Sequence, residues 1–172
     1  MRVFFITYFV FLSIGCAAQR PLKPGSFSVS TRSVIITESS SPDKKGLFGV
    51  RFPDKYDKGF PKSKVDAFRV RKEDIHFSEE QVREIVAKTF RSKIKNVGHS
   101  MVIIAVNIKF EQDGRVASII YSVSDKFAVV TIEDLATIDK ELREDLKATF
   151  SGKDYLDHQI ISYPIIRIDL CE

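Results

Sequence analysis

The chain predicts an α+β domain in which two helices pack on one face of an antiparallel sheet, preceded by N-terminal β segments. Three patterns carry this expectation. Apolar and polar residues alternate on both sides of Asp113-Gly114. Val82, Ile85, Val86, Phe90 and Ile94 recur at helical spacing, and so do Leu135, Ile138, Leu142, Leu146 and Phe150. A period of two marks a half-buried strand and a period of 3.6 marks a helix. Elements with one apolar face each bury those faces by stacking in layers.

The N-terminus is set apart from the fold. Arg2 precedes a run from Val3 to Ile14 that is apolar except for Thr7 and Ser13. Small residues follow at Gly15-Cys16-Ala17-Ala18. This is the build of a cleavable export signal over residues 1–18. The run is shorter than the ~20 residues that cross a bilayer as a helix. Two processing routes fit. A peptidase could cut before Gln19, or Ser13-Ile14-Gly15-Cys16 could serve as a lipobox with Cys16 lipidated and the protein tethered to a membrane. Cys16 and Cys171 are the two cysteines of the chain. Cys16 is removed or lipidated, so no intramolecular disulfide is expected even in an oxidising compartment.

With 172 residues, 44% hydrophobic and 29% charged, the chain suits one domain with a real core. The net charge of +4 permits contact with anionic envelope components without requiring it.

Residues 19–26 contain Pro21, Pro24 and Gly25 and read as a linker. Residues 27–75 read as a β-rich basic segment. Phe27 to Thr37 predicts one strand or two short ones. Residues 44–72 hold ten Lys or Arg against three Asp, with Phe48, Phe52, Tyr56 and Phe60 at every fourth position. Gly49, Pro53, Gly59 and Pro61 exclude a regular helix there, and Val65 to Val70 is a strand candidate.

Residues 76–172 read as an α-β-β-α-β unit. Ser78-Glu79-Glu80-Gln81 is a capping box, with Phe77 and Val82 placed as a hydrophobic staple. Gly98 marks a stop for this first helix. Met101 to Phe110 and Val116 to Val123 are strands joined at Asp113-Gly114, a strong two-residue hairpin signal. That turn pairs Phe110 with Ala117, Ile108 with Ile119, Val106 with Tyr121 and Ile104 with Val123, all apolar. Lys109–Ser118, Asn107–Ile120 and Ala105–Ser122 fall on the opposite, more polar face. The second helix is expected from Thr131 to the stop at Ser151-Gly152. Ile160 to Leu170 is a strand. Pro164 cannot donate to a ladder, so this strand belongs at a sheet edge or carries a bulge there.

No catalytic or metal-binding pattern stands out. His76, His99 and His158 are far apart and lack ligand spacing. Gly98-His99-Ser100-Met101-Val102 lacks the second glycine of a nucleophile elbow. The expectation is a non-enzymatic protein without a cofactor or metal.

Residues 77–170 resemble the TonB C-terminal domain and its relatives in the Gram-negative envelope. The resemblance is carried by the hairpin Val106–Val116, the helix Leu135–Phe150 and the strand Pro164-Ile165-Ile166-Arg167-Ile168. Asp74-Ile75-His76-Phe77 stands where the family usually has a Pro-Tyr-Pro-like segment, and the chain has no long Pro-rich spacer. Recognition, rather than energy transduction, is therefore what the resemblance implies. It implies an exported protein, periplasmic or associated with the outer membrane, that binds an envelope protein or peptide by strand addition. The expected surface is Ile161, Tyr163, Ile165 and Arg167. The competing reading is an edge blunted by Pro164. A second class of function would use the aromatic, basic segment, with Phe52, Tyr56, Phe60 and Lys62 holding or hydrolysing a cell-wall or glycan ligand. Nucleic acid is not expected of an exported protein, and membrane contact would come only through Cys16. A third reading is a structural lipoprotein.

Overall fold

The alternating hairpin becomes part of a larger antiparallel sheet. The computed structural model describes residues 20–40, 46–61, 70–94, 102–125 and 128–170. Among these, β1 (Gly25–Val29), β2 (Arg32–Glu38), β3 (Leu47–Arg51), β5 (Val102–Glu111), β6 (Val116–Asp125), β8 (Ile160–Ser162) and β9 (Ile166–Asp169) form a seven-stranded sheet. The order is β1-β2-β3-β6-β5, with β8 and β9 both paired to β5. Every pairing is antiparallel. A separate two-stranded piece joins β4 (Ile75–His76) to β7 (Thr149–Phe150).

The α+β class and the two helices stand as expected. Helices α1 (Glu79–Ile94) and α2 (Ile132–Asp145) supply Val82, Val86, Phe90, Leu135, Ile138 and Leu142 to the core. They meet Val102, Ile104, Val106, Ile108 and Phe110, the alternate buried residues of β5. Burial of such side chains contributes about 1.5–3 kcal/mol each before the opposing entropy is counted. The N-terminal β segment and the C-terminal unit share this one sheet, because β3 pairs with β6.

The body of the hairpin has the expected register, from Ile104↔Val123 to Lys109↔Ser118. Its tip differs. Phe110 pairs with Val116 rather than Ala117, across a register shift at Lys109/Phe110. The loop is a residue longer than a two-residue turn. Gly114 N–H donates to Glu111 O at 2.9 Å and Glu111 N–H to Arg115 O at 2.8 Å. Gly114 takes φ +84°. A turn followed by a left-handed glycine is the three-residue hairpin geometry. Ala117 is then the extra residue of a bulge that restores the register.

Helix α2 starts as expected. Thr131 and Asp134 form a reciprocal capping box. It ends at Asp145, earlier than the apolar stripe suggests, and Phe150 lies in β7. Lys147 bridges to Arg115, and Ala148 N–H donates to Gly114 O at 2.9 Å. Pairing with the hairpin tip and with β4 thus takes over from the helix.

The stretch read as a linker is packed at its start. Leu22 is buried, Pro21 bridges Thr131, and Arg20 N–H donates to Glu133 Oε2 at 3.0 Å. Gly25 and Ser26 already belong to β1. The Phe27–Thr37 stretch resolves into two strands turning at Ser30-Thr31. The signal segment, most of the Val65–Val70 strand candidate and the Gly98 stop lie outside the described residues.

Candidate functional site

The strand carrying Pro164 lies at a sheet edge, with β5 its one ladder partner among the described residues. Proline splits it. Before the break Tyr163 N–H donates to Ile108 O at 2.9 Å, and after it Leu170 N–H donates to Val102 O at 3.0 Å. In an antiparallel ladder alternate residues turn both backbone groups to the same neighbour. Counting back from Leu170, Ile168 and Ile166 face β5, while Asp169 and Arg167 turn theirs to the open side.

That open side is partly occupied. Arg83 of α1 donates from Nη1 to Arg167 O at 2.8 Å. The other edge is covered in the same manner, where Arg20 Nη2 donates to Ser28 O of β1 at 2.9 Å. Near the break, the Tyr163 hydroxyl donates to Glu79 Oε1. Lys72 lies 2.9 Å from the same oxygen and 5.4 Å from the centre of the Tyr163 ring. The Tyr163 hydroxyl, then the Lys72 ammonium, hold the Glu79 carboxyl below its ordinary value. Burial, then the bond to Glu79, raises the Tyr163 phenol. Phe77 packs edge-on to the Tyr163 ring at 4.5 Å and against Phe110 at 5.1 Å. Ser78 Oγ does accept from Gln81 N–H at 3.0 Å, one half of the expected box.

The four edge residues divide into two pairs. Ile161 and Tyr163 are buried and serve the core. Ile165 is 64% exposed, and Arg167 is exposed beside Asp169, with Nε 3.2 Å from Oδ1. A pocket of about 340 Å³ opens at the break, between Asn107, Ser162, Pro164 and Ile165 and the Lys72–Ile75 stretch.

The aromatic, basic segment also divides. Phe52 is in the core, edge-on to Tyr121 at 6.4 Å and beneath the Arg32 guanidinium at 5.0 Å. Tyr56 and Phe60 stack at 5.4 Å at the surface. The Lys109 ammonium sits 3.8 Å from the centre of the Phe60 ring, and Lys55 is 5.0 Å from that of Tyr56. Partial burial lowers the Lys109 pKa from its usual value. Lys62 and Cys16 lie outside the described residues.

One arrangement was invisible in the sequence. His76 Nε2 is 3.0 Å from Ser151 Oγ, and that hydroxyl donates to Asp74 Oδ1 at 3.1 Å. Only the pairing of β4 with β7 brings these residues together. A nucleophilic serine hands its proton to the histidine, whose other nitrogen is held by the acid. Here the hydroxyl proton points to Asp74, a poor base because Arg71 holds its carboxyl below the ordinary value. The trio works as a clasp between the two strands. No cluster of three or more metal-ligating side chains occurs among the described residues.

No family model matches the chain, and no curated protein matches it. Among solved structures, the fold is similar to that of a DUF5043 family protein from Bacteroides uniformis, with a TM-score of 0.63 and 13% identity over 89% of this chain and 88% of that one. At that identity the likeness establishes a shared α+β fold.

Proposed function

We propose that this protein is an exported, non-enzymatic interaction domain that takes an extended segment of an envelope protein on the β8–β9 edge. One observation carries the reading. Beyond β5, the outward carbonyl of Arg167 meets a side chain, Arg83, rather than another strand. A guanidinium on a half-exposed side chain can swing away, whereas a paired strand cannot. Exposed Ile165 and the pocket beside it offer an incoming side chain an apolar seat. The TonB C-terminal resemblance of residues 77–170 and the signal-like residues 1–18 support the same reading, with the protein in the periplasm or at the outer membrane.

A photo-crosslinking residue at position 165 tests it, with one at Leu156 as control, since Leu156 is 48% exposed and belongs to neither β8 nor β9. In envelope extract, position 165 should capture a discrete partner that position 156 does not. Equal labelling at both positions, or none at 165, would overturn the proposal.

A second reading rests on the Tyr56–Phe60 stack with Lys55 and Lys109 beside it. Such a platform suits a glycan or an anionic cell-wall polymer. Sedimentation with purified peptidoglycan should then depend on Tyr56 and Phe60, and a Tyr56→Ala/Phe60→Ala protein that sediments like the parent rules it out.

A further inference from the structure

A cavity lies between the β1–β2 turn and α2, at the opposite end of the sheet from the β8–β9 edge. It measures about 600 Å³, within the usual size range of small-molecule sites. Val29 and Ala136 give it apolar surface, and Ser30, Thr31 and Thr137 give it small polar groups. Arg32, Arg143 and Lys140 line it as cations, and Glu133 and Glu144 as anions.

Its cations are held in place from beneath. Asp139 is fully buried and lies 2.6 Å from Arg32 Nη1 and 2.8 Å from Arg143 Nε. Tyr121 donates to the same carboxylate at 3.3 Å. Arg32 is further pinned over the Phe52 ring. With Nη1 engaged, the remaining Arg32 nitrogens have no hydrogen-bond partner among the described residues, and the side chain is 36% exposed. Among the described residues Lys140 reaches only Glu144, at 4.0 Å, and it is 70% exposed. Glu133 is occupied by Arg20 at 2.7 Å, so it does not cancel Arg32. At the lip, Ser30 adopts φ 55°, as the first position of the two-residue turn between β1 and β2 requires.

A fixed guanidinium with open N–H groups beside a second, mobile cation recognises a carboxylate well. The apolar patch of Val29 and Ala136 adds a place for a short hydrocarbon body. We infer that this groove binds a small organic monocarboxylate, its carboxylate on Arg32 and Lys140 and its chain against Val29 and Ala136. The inference is independent of the strand-edge reading.

The test uses the purified protein with hexanoate as probe, and acetate and hexan-1-ol as partial probes. Backbone amide resonances are followed by two-dimensional NMR. Hexanoate should shift the amides of residues 30–32 and 136–140 saturably. Acetate and hexan-1-ol should each bind about tenfold more weakly or worse, since each lacks one of the two contacts. Arg32→Gln should weaken hexanoate about tenfold. Lys140→Gln, at an exposed position with little bearing on folding, should weaken it severalfold. Hexanoate shifts that fall elsewhere, acetate binding as well as hexanoate, or parental hexanoate affinity in both variants would each overturn the inference.

Discussion

The Arg83 guanidinium of α1 donates to the outward carbonyl of Arg167, at 2.8 Å, across the open side of the last strand. Arg20 caps Ser28 at the opposite edge at 2.9 Å. Unpaired strand edges template association with other chains, and charged side chains laid over them are one known guard. A long cation anchored on a helix can satisfy an edge carbonyl without extending the sheet.

Arg83→Gln should therefore open the edge more than it weakens the fold. Arg83 is 41% exposed, so its removal should cost about 1 kcal/mol or less. Self-association should rise relative to the parent, read as a concentration-dependent increase in sedimentation coefficient. If the variant remains as monodisperse as the parent across the concentration range, the guard role fails.

The Tyr163–Glu79 pair makes a pH-dependent contribution with a defined sign. Glu79 has a lowered pKa in the folded state, so between its folded value and the ordinary 4.5 the unfolded chain binds more protons. Its contribution is complete above the ordinary carboxyl range and is lost as the pH falls through the folded value. Tyr163 is raised above the ordinary 10.0, so its contribution is complete below that value and is lost as the pH rises through the folded pKa. Tyr163→Phe should cost about 1–2 kcal/mol at neutral pH. It should also flatten the acid limb of the stability curve. Parallel acid limbs in denaturant titrations of parent and variant would show that the bond does not couple to Glu79.

Asp139 is the buried charge on which the Arg32–Arg143 pair depends. Asp139→Asn would keep the shape and remove the charge, leaving two guanidinia without their shared carboxylate. The expected loss is about 3 kcal/mol or more, in the range found when one partner of a buried ion pair is removed. Glu144→Gln, at an exposed helix position, should change stability by less than about 0.5 kcal/mol. Comparable losses in both variants, measured by urea unfolding, would deny Asp139 its special place.

The sequence made some of this legible for local reasons. Alternation along Ile104–Lys109 and Ser118–Val123 set the hairpin register, because a slip of one residue would bury Lys109 in place of Ile108. Pro164 announced an edge strand, because a residue without an N–H fits poorly inside a ladder. Tertiary partners decided what stayed hidden. Leu146 and Phe150 continue the α2 stripe in spacing, yet Phe150 pairs with Ile75 in β7, a choice made by a segment distant in sequence. Phe52 shares its spacing with Tyr56 and Phe60, but it follows directly on β3 and enters the core while the other two remain at the surface. Nothing local to Arg83 or Arg20 indicates that each ends on an edge carbonyl. The fold was therefore more readable than the β8–β9 edge, whose Arg83–Arg167 and Glu79–Tyr163 contacts join residues far apart in the chain.

The hairpin tip offers the sharpest separation of backbone conformation from packing. Gly114 and Gly152 both have positive φ, at +84° and +74°. A Cβ on Gly152 would meet open space, whereas one on Gly114 would fall 1.9 Å from Ala148 O. Gly152→Ala should therefore cost only the left-handed penalty of roughly 1–2 kcal/mol. Gly114→Ala adds a backbone collision to that penalty. It also threatens the 2.9 Å bond from Ala148 N–H to Gly114 O, which holds the end of α2 against the hairpin. A loss of about 3–5 kcal/mol is expected, enough to unfold a marginal domain at physiological temperature. Thermal unfolding of the two variants side by side decides the matter. Equal midpoints would mean that the tip and the Leu146–Ala148 segment do not pack as closely as this contact requires, and the early end of α2 at Asp145 would need another cause.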